Sequence, residues 1–223
     1  MDLLEIHNRF ELLVNKTTGQ YFSHEEIDNF LDHAQMQEFE LLLENSRELQ
    51  NLRMGYPRSQ KIHEDLLPFL DKTILSSPGA NNIFGLPRNS QYATAFLYGD
   101  KNISIVPETE VAFTLDSTLV APSEAYPIAV FQGVNTGGQK LVRIYPSTIS
   151  SVSCFYLQRP DEPILAYTLS GRTVTYDSAS STQMGWNDGP ITRIIHRALA
   201  LAGIPLADQG LFQTNEDKQR TGQ

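Results

Sequence analysis

Cysteine is nearly missing from these 223 residues, with Cys154 the single thiol. One thiol cannot build an internal disulfide framework, which fits assembly in a reducing compartment. Long apolar runs are missing too, and none reaches the roughly 18 residues that a membrane-spanning helix needs. The opening "MDLLEIHNRF" lacks a basic segment followed by an apolar block, so it does not read as a signal peptide. These absences set the expectation of a soluble protein made in a cytoplasm, with no membrane partner. The five histidines (His7, His24, His33, His63 and His196) are scattered, and no two stand at a helical four-residue spacing. A zinc site needs clustered nitrogen or sulfur ligands, so no metal is expected.

Basic residues are scarce at one end. Positions 1–50 carry eleven carboxylates against three bases, a net charge of −8, which leaves −1 for the other 173 residues. Such a segment repels a phosphate backbone, so sequence-specific DNA or RNA binding is not expected. A solvated acidic helix face is the plain alternative meaning. Hydrophobic residues at 40% and charged ones at 19% describe a folded chain, not a disordered one. At this length it can bury a core as one domain, or as one domain with an appendage.

What is present changes period along the chain. Leu3, Ile6, Phe10, Leu13 and Val14 recur at three- and four-residue steps, with Asp2 placed to cap and Gly19 to close the helix. The next stretch, "KTTGQYFSHEEIDNFLDHAQ", resembles half of a calcium-binding helix-loop-helix at first sight. Setting Gly19 at the sixth loop position puts Val14, Lys16 and Thr18 at the first, third and fifth, and Glu25 at the twelfth. Valine and lysine supply no carboxylate there, so the metal reading fails. A helix start fits instead: Ser23 caps, Glu26 completes a capping box, and Phe22 and Ile27 form a staple. Ile27, Phe30, Leu31 and Ala34 make the buried face, which continues through Phe39, Leu42 and Leu43 toward Leu52. The stripe drifts near Glu38, where a bend or a second packing surface is expected.

"GYPRSQ" reads as a loop, "HEDLLPFL" as a short helix or turn broken at Pro68, and Ser76–Ser90 as irregular chain. From Gln91 the period falls to two. The expected strands are "ATAFLYG", "ISIV", "VAFTL" with Val111, Phe113 and Leu115 inward, "PIAVF", "KLVRIYP", "SVSCFYLQ", "ILAYTL" and "RTVTYD". Short links between them predict antiparallel pairing. The last helix carries Pro190 in its first turn and Ile191, Ile194, Ile195, Ala198, Leu199 and Ala202 on one stripe. Gly203 and Ile204 then close it as a Schellman motif before Pro205. The fold class read from these periods is α+β. It has an acidic helical region (1–55), a loop-rich connection (56–90), an antiparallel sheet or sandwich of about five to eight strands (91–180), and a C-terminal helix with an extended tail (181–223).

The chemistry-bearing residues form no reaction constellation. His33 beside Asp32 and Glu38 is a general base only on paper. Asp161 and Glu162 share one turn, whereas the two carboxylates of a glycosidase converge from separate elements. "NTGGQK" lacks the phosphate-loop spacing and reads as a hairpin turn. Ser180 and Ser181 lack the glycines of a nucleophile elbow. Cys154 alternates with Val152 and Tyr156 and reads as a packed thiol. Trp186 is either a core or an interface anchor. No catalytic residue, cofactor-binding residue or metal ligand is assigned.

Several stretches taken in order resemble a known family. They are "YFSHEEIDNFLDHAQ", "LLPFL", "VRIYPSTISSVSCFYLQRPDEPILAY" and "LALAGIPLADQGL". The family comprises virion structural proteins of tailed phages that infect Bacteroidetes, including the crAss-like group. The most specific parts are the "YFS-x-EE" helix start and the "IYP…YL-x-RP-x-x-P" hairpin. The resemblance implies a non-enzymatic head-tail connector, or neck, protein in a homo-oligomeric ring matching the portal's twelvefold order. Its implied partners are the portal and neighbouring neck or tail proteins, with packaged DNA passing nearby. Another virion role (capsid decoration, tail or packaged protein) and a small soluble enzyme or ligand-binding protein stand as alternatives.

Overall fold

A computed structural model describes residues 1–17, 21–52, 63–76, 82–117, 121–170 and 173–204. Gly19, the "GYPRSQ" loop and the tail after Ile204 lie outside the described residues. The chain forms two compact units. One joins Met1–Pro68 with Pro160–Gln223, and the other is Phe69–Arg159.

The first unit is mainly helical. Helix α1 spans Leu3–Thr17, α2 spans His24–Leu52, and α4 spans Asp188–Leu201. At 29 residues, α2 is about 44 Å long. The capping box forms as its residue types require: the Ser23 N–H donates to Glu26 Oε2 (2.8 Å), and the Glu26 N–H donates to Ser23 Oγ (3.3 Å). These bonds from Ser23 hold the Glu26 carboxyl below the usual carboxylate range. Phe22 sets its ring edge-on against Phe10 and Phe30, and so joins α1 to α2. At the start of α1 the bond to Asp2 is to its backbone, with the Ile6 N–H donating to Asp2 O at 3.1 Å. The Asp2 carboxylate accepts from the Tyr176 hydroxyl, and the Leu3 N–H is taken by the Gln183 side chain at 2.8 Å.

The stripe of α4 is buried from Pro190 to Leu199. Its end is the expected Schellman close. The Ile204 N–H donates to Leu199 O (3.0 Å), the Gly203 N–H donates to Ala200 O (3.1 Å), and Gly203 takes φ 74°, where a side chain would be strained. A two-stranded hairpin, β8 (Tyr167–Ser170) and β9 (Thr173–Tyr176), completes this unit.

The second unit is one seven-stranded sheet. Its strands are β1 (Leu70–Ser76), β2 (Ile83–Gly85), β3 (Ser90–Tyr98), β4 (Lys101–Ile105), β5 (Ile128–Val134), β6 (Lys140–Tyr145) and β7 (Ser151–Gln158), in the order β1-β7-β3-β4-β5-β6-β2. The edge strands β1 and β2 also approach each other, so the sheet nearly closes into a barrel. All seven strands send a side chain inward: Leu75, Phe84, Phe96, Ile103, Ala129, Ile144 and Cys154 belong to one buried cluster. Val152, Cys154 and Tyr156 keep the two-residue period of a strand. Ala93 and Phe96 are three residues apart and would face opposite ways in a regular strand. A bulge between Ala93 and Ala95 resets the phase, so both point inward. Strand β5 carries a second bulge at Phe131/Gly133, where Gly133 takes φ 109°.

Three expectations need correction. "VAFTL" is not a strand: Glu108–Asp116 is helix α3, none of its residues is buried, and Phe113 is 81% exposed. The cause is topological. β4 and β5 pair in parallel, and a parallel pair needs a crossover, not a hairpin. Pro107 before the helix, Glu108 and Glu110 in its first turn, and a Thr114 hydroxyl bonded to Glu110 O suit that crossover. The chain read as irregular over Ser76–Ser90 contains β2, which is three residues long and too short to show a period. "HEDLLPFL" is a helical turn at 63–66 and a 3₁₀ turn Leu67–Phe69, but its last residue begins β1, with Leu70 paired to Leu157.

Phe96 is fully buried and sits where β3 meets both β4 and β7. Phe96→Ala should cost about 3–5 kcal/mol through lost transfer energy and a cavity. Urea unfolding followed by a probe in the sheet checks this.

Candidate functional site

The strongest polar cluster lies in the helical unit. Glu38 sits at the point of α2 where the apolar stripe drifts, and its side chain is 1% exposed. Arg193 and Arg197, one turn apart on α4, reach it from the same side. Arg193 Nε donates to Glu38 Oε1, and Arg197 Nε donates to Glu38 Oε2 at 2.9 Å. Arg193 also gives Nη2 to Asp65 at 3.0 Å. Burial disfavours the charge on Arg193, but Glu38 and Asp65 outweigh it and raise its pKa. The packing surface expected near Glu38 is therefore α4, and Glu38 does not belong to a solvated acidic face.

Gln35, also buried, stands one turn before Glu38. Its amide donates to Asp32 Oδ1 and to Asp161 O, both at 2.9 Å, and its oxygen accepts from Trp186 Nε1 at 3.2 Å. Trp186 is 5% exposed and edge-on to Phe39, which makes it a core anchor. Asp161 acts here through its backbone, and the structure brings its carboxylate into no paired site with Glu162. His33 is exposed on α2.

A second cluster joins α1, α2 and the hairpin. His7, 1% exposed, donates from Nε2 to Asp28 Oδ1 at 2.8 Å, and Asp28 Oδ2 accepts the Leu165 N–H at 2.9 Å. His24 lies against His7 on one side and Tyr167 on the other, with ring centroids at 5.7 and 5.3 Å. Leu4, His24, Leu165, Tyr167 and Tyr176 border a shallow hollow of about 280 Å³. The Nδ1 atoms of His7 and His24 are buried and have no hydrogen-bond partner among the described residues. The pairing of His7 and Asp28 was not foreseen, because 21 residues separate them and no motif spans the gap.

The remaining sequence candidates have structural surroundings. Cys154 is buried among the inward residues of the sheet, and burial pushes its thiol up to about 12. Ser180 Oγ donates to Asp177 Oδ2, while Ser181 Oγ donates to Asp177 O and accepts the Ala166 N–H. "NTGGQK" is the β5–β6 hairpin turn, in which Asn135 Oδ1 accepts from the Gly137 and Gln139 N–H groups. Among the described residues no three His, Cys, Asp or Glu side chains are grouped to hold a metal ion, and no helix is long and apolar enough to cross a membrane. What the polar clusters can do, on these contacts, is fix α1, α2, α4 and the hairpin to one another. No family model matches the sequence, and no curated protein matches it at a significant level.

Glu38→Met leaves two arginines facing a buried apolar group. It should cost about 3 kcal/mol, the low end for a broken buried pair because both guanidinium groups reach solvent. Adding Arg193→Met and Arg197→Leu should recover part of that loss, measured by denaturant unfolding.

The Cys154 thiol should stay silent toward a thiol reagent near pH 8 and react fully in denaturing urea, since only the thiolate is nucleophilic. Its raised pKa gives stability that is present below the range of a free thiol and is lost as pH rises toward about 12. Thermal melts at increasing alkaline pH follow that limb, and Cys154→Ala should flatten it.

Proposed function

We propose that this chain is a non-enzymatic structural protein of a phage particle, a neck ring protein between portal and tail that surrounds the DNA channel. The observation that carries this reading is where the family-like stretches fall in the fold. "YFSHEE" forms the capped start of the 29-residue α2. "IYPSTISSVSCFYLQRPDEP" runs from the end of β6 through β7, the strand held between β1 and β3, and then into the chain that returns to the helical unit. A likeness in those places concerns the framework of the fold, as expected for a protein that works through its shape.

The charge distribution supports the same reading. Glu26, Asp28, Asp32 and Glu38 have partners within the chain. The N-terminal third still keeps an excess of acid, which lets DNA pass without holding it. A cyclic ring joins one patch of each copy to a different patch of the next, so each chain needs two unlike surfaces.

Electron microscopy of intact particles with this chain located in the density tests the proposal. About a dozen copies at the portal-proximal neck are expected, the portal order implied by the family resemblance and a closed cyclic ring. Hundreds of copies over the shell, or none in the particle, would overturn it.

A further inference from the structure

Helix α3 is the least explained element in the sheet unit. A short helix normally gains its stability by burying one face. None of the residues of α3 is buried, and Phe113 (81% exposed) and Leu115 (43%) stand open. Tyr126, 79% exposed, follows on the same crossover. Three carboxylates accompany these apolar groups, from Glu108, Glu110 and Asp116, and no described cation pairs with them.

A complementary surface exists elsewhere on the same sheet. Lys140 Nζ donates to Gln91 O, and the Arg159 backbone N–H donates to Asn89 O. These bonds place Lys140 and the backbone of Arg159 around the start of β3, and Arg88, exposed two residues before that strand, reaches toward Gly137 in the β5–β6 turn. No described carboxylate pairs with any of the three. Val134, opposite Lys140 in the ladder and 62% exposed, adds an apolar part. The two surfaces lie at different ends of β5. α3 leads into Ile128, and Val134 is six residues on, about 20 Å along a strand.

We infer that α3 of one copy docks on the Arg88–Lys140–Arg159 surface of a second copy of this chain, a head-to-tail contact that propagates from copy to copy. Charge selects this pairing. Two α3 surfaces facing each other would set six carboxylates together, and two basic surfaces would set six cations together; acid against base removes both conflicts. The contact joins unlike patches, so it closes into a ring or continues as a filament and does not stop at a dimer. The apolar groups of α3 and Val134 supply the surface that leaves water. This inference rests on the ring reading above and names the surface that such a ring would use.

The test uses the full chain and two charge-reversed variants. One carries Glu108→Lys, Glu110→Lys and Asp116→Lys; the other carries Arg88→Glu, Lys140→Glu and Arg159→Glu. Circular dichroism should show both variants folded, with melting lowered slightly, because one loses the acids of the first turn of α3 and the other loses the Lys140 bond to Gln91 O. Sedimentation over a concentration series should show assembly of the wild type. Each variant alone should assemble at least about tenfold more weakly, since like charges then face each other. An equimolar mixture should regain assembly, because the surfaces reversed in one variant complement those reversed in the other. Assembly unchanged in both variants would overturn the docking surface and leave the ring reading standing. Two defective variants that fail to rescue each other would overturn the pairing of these two patches. A wild type that stays monomeric at every concentration would overturn this contact, while copy number at the neck decides the ring reading separately.

Discussion

The helical unit depends on one buried carboxylate. Glu38 sits in an otherwise apolar seam between α2 and α4, and a lone carboxylate there would carry a desolvation cost of several kcal/mol. Arg193 and Arg197 offset that cost because one helical turn brings both guanidinium groups to the two oxygens. The consequence is register. α4 cannot slide along α2 by a turn without separating the pair, whereas the surrounding Ile, Leu and Ala contacts would tolerate such a slip far better. Gln35 adds a second fixed point one turn away, through the backbone of Asp161 and the indole of Trp186. Segments more than 120 residues apart are thereby held to one face of α2.

The sheet unit solves a different problem. Its strands arrive in an order that only partly follows the chain, and β7 is inserted between β1 and β3. Near-closure puts an inward side chain from every strand into one cluster, and a bulge in β3 corrects the phase where the alternation would otherwise fail. The parallel step from β4 to β5 is the exception to antiparallel pairing. It forces a crossover, and that crossover carries the exposed helix. The most exposed apolar element of the sheet unit is therefore a consequence of its topology. Its carboxylates flank the exposed apolar groups.

The role proposed above asks for surfaces that meet other chains. The protein's most deeply buried polar groups, Glu38, Gln35 and His7, are spent on joining helices. The charged groups without an ion-pair partner among the described residues, on α3 and around Arg88, are those the proposed contact would use.

The sequence by itself determined the local elements. The three helices of the first unit, the capping box at Ser23, the Schellman close at Gly203 and strands β3 to β7 all follow from the spacing and type of consecutive residues. Local sterics, hydrogen bonding and side-chain period act within a few residues, so they can be read locally. Tertiary structure decided what depends on distant partners. "VAFTL" has the alternation of a strand and became a helix because the sheet had no place for it there. β2 is too short to announce itself, and the pairing of Glu38 with two arginines about 155 residues away leaves no periodic trace. The discontinuous first unit belongs to the same class. Such pairings are fixed by the free energy of the whole packed unit, to which no single stretch of chain holds the key.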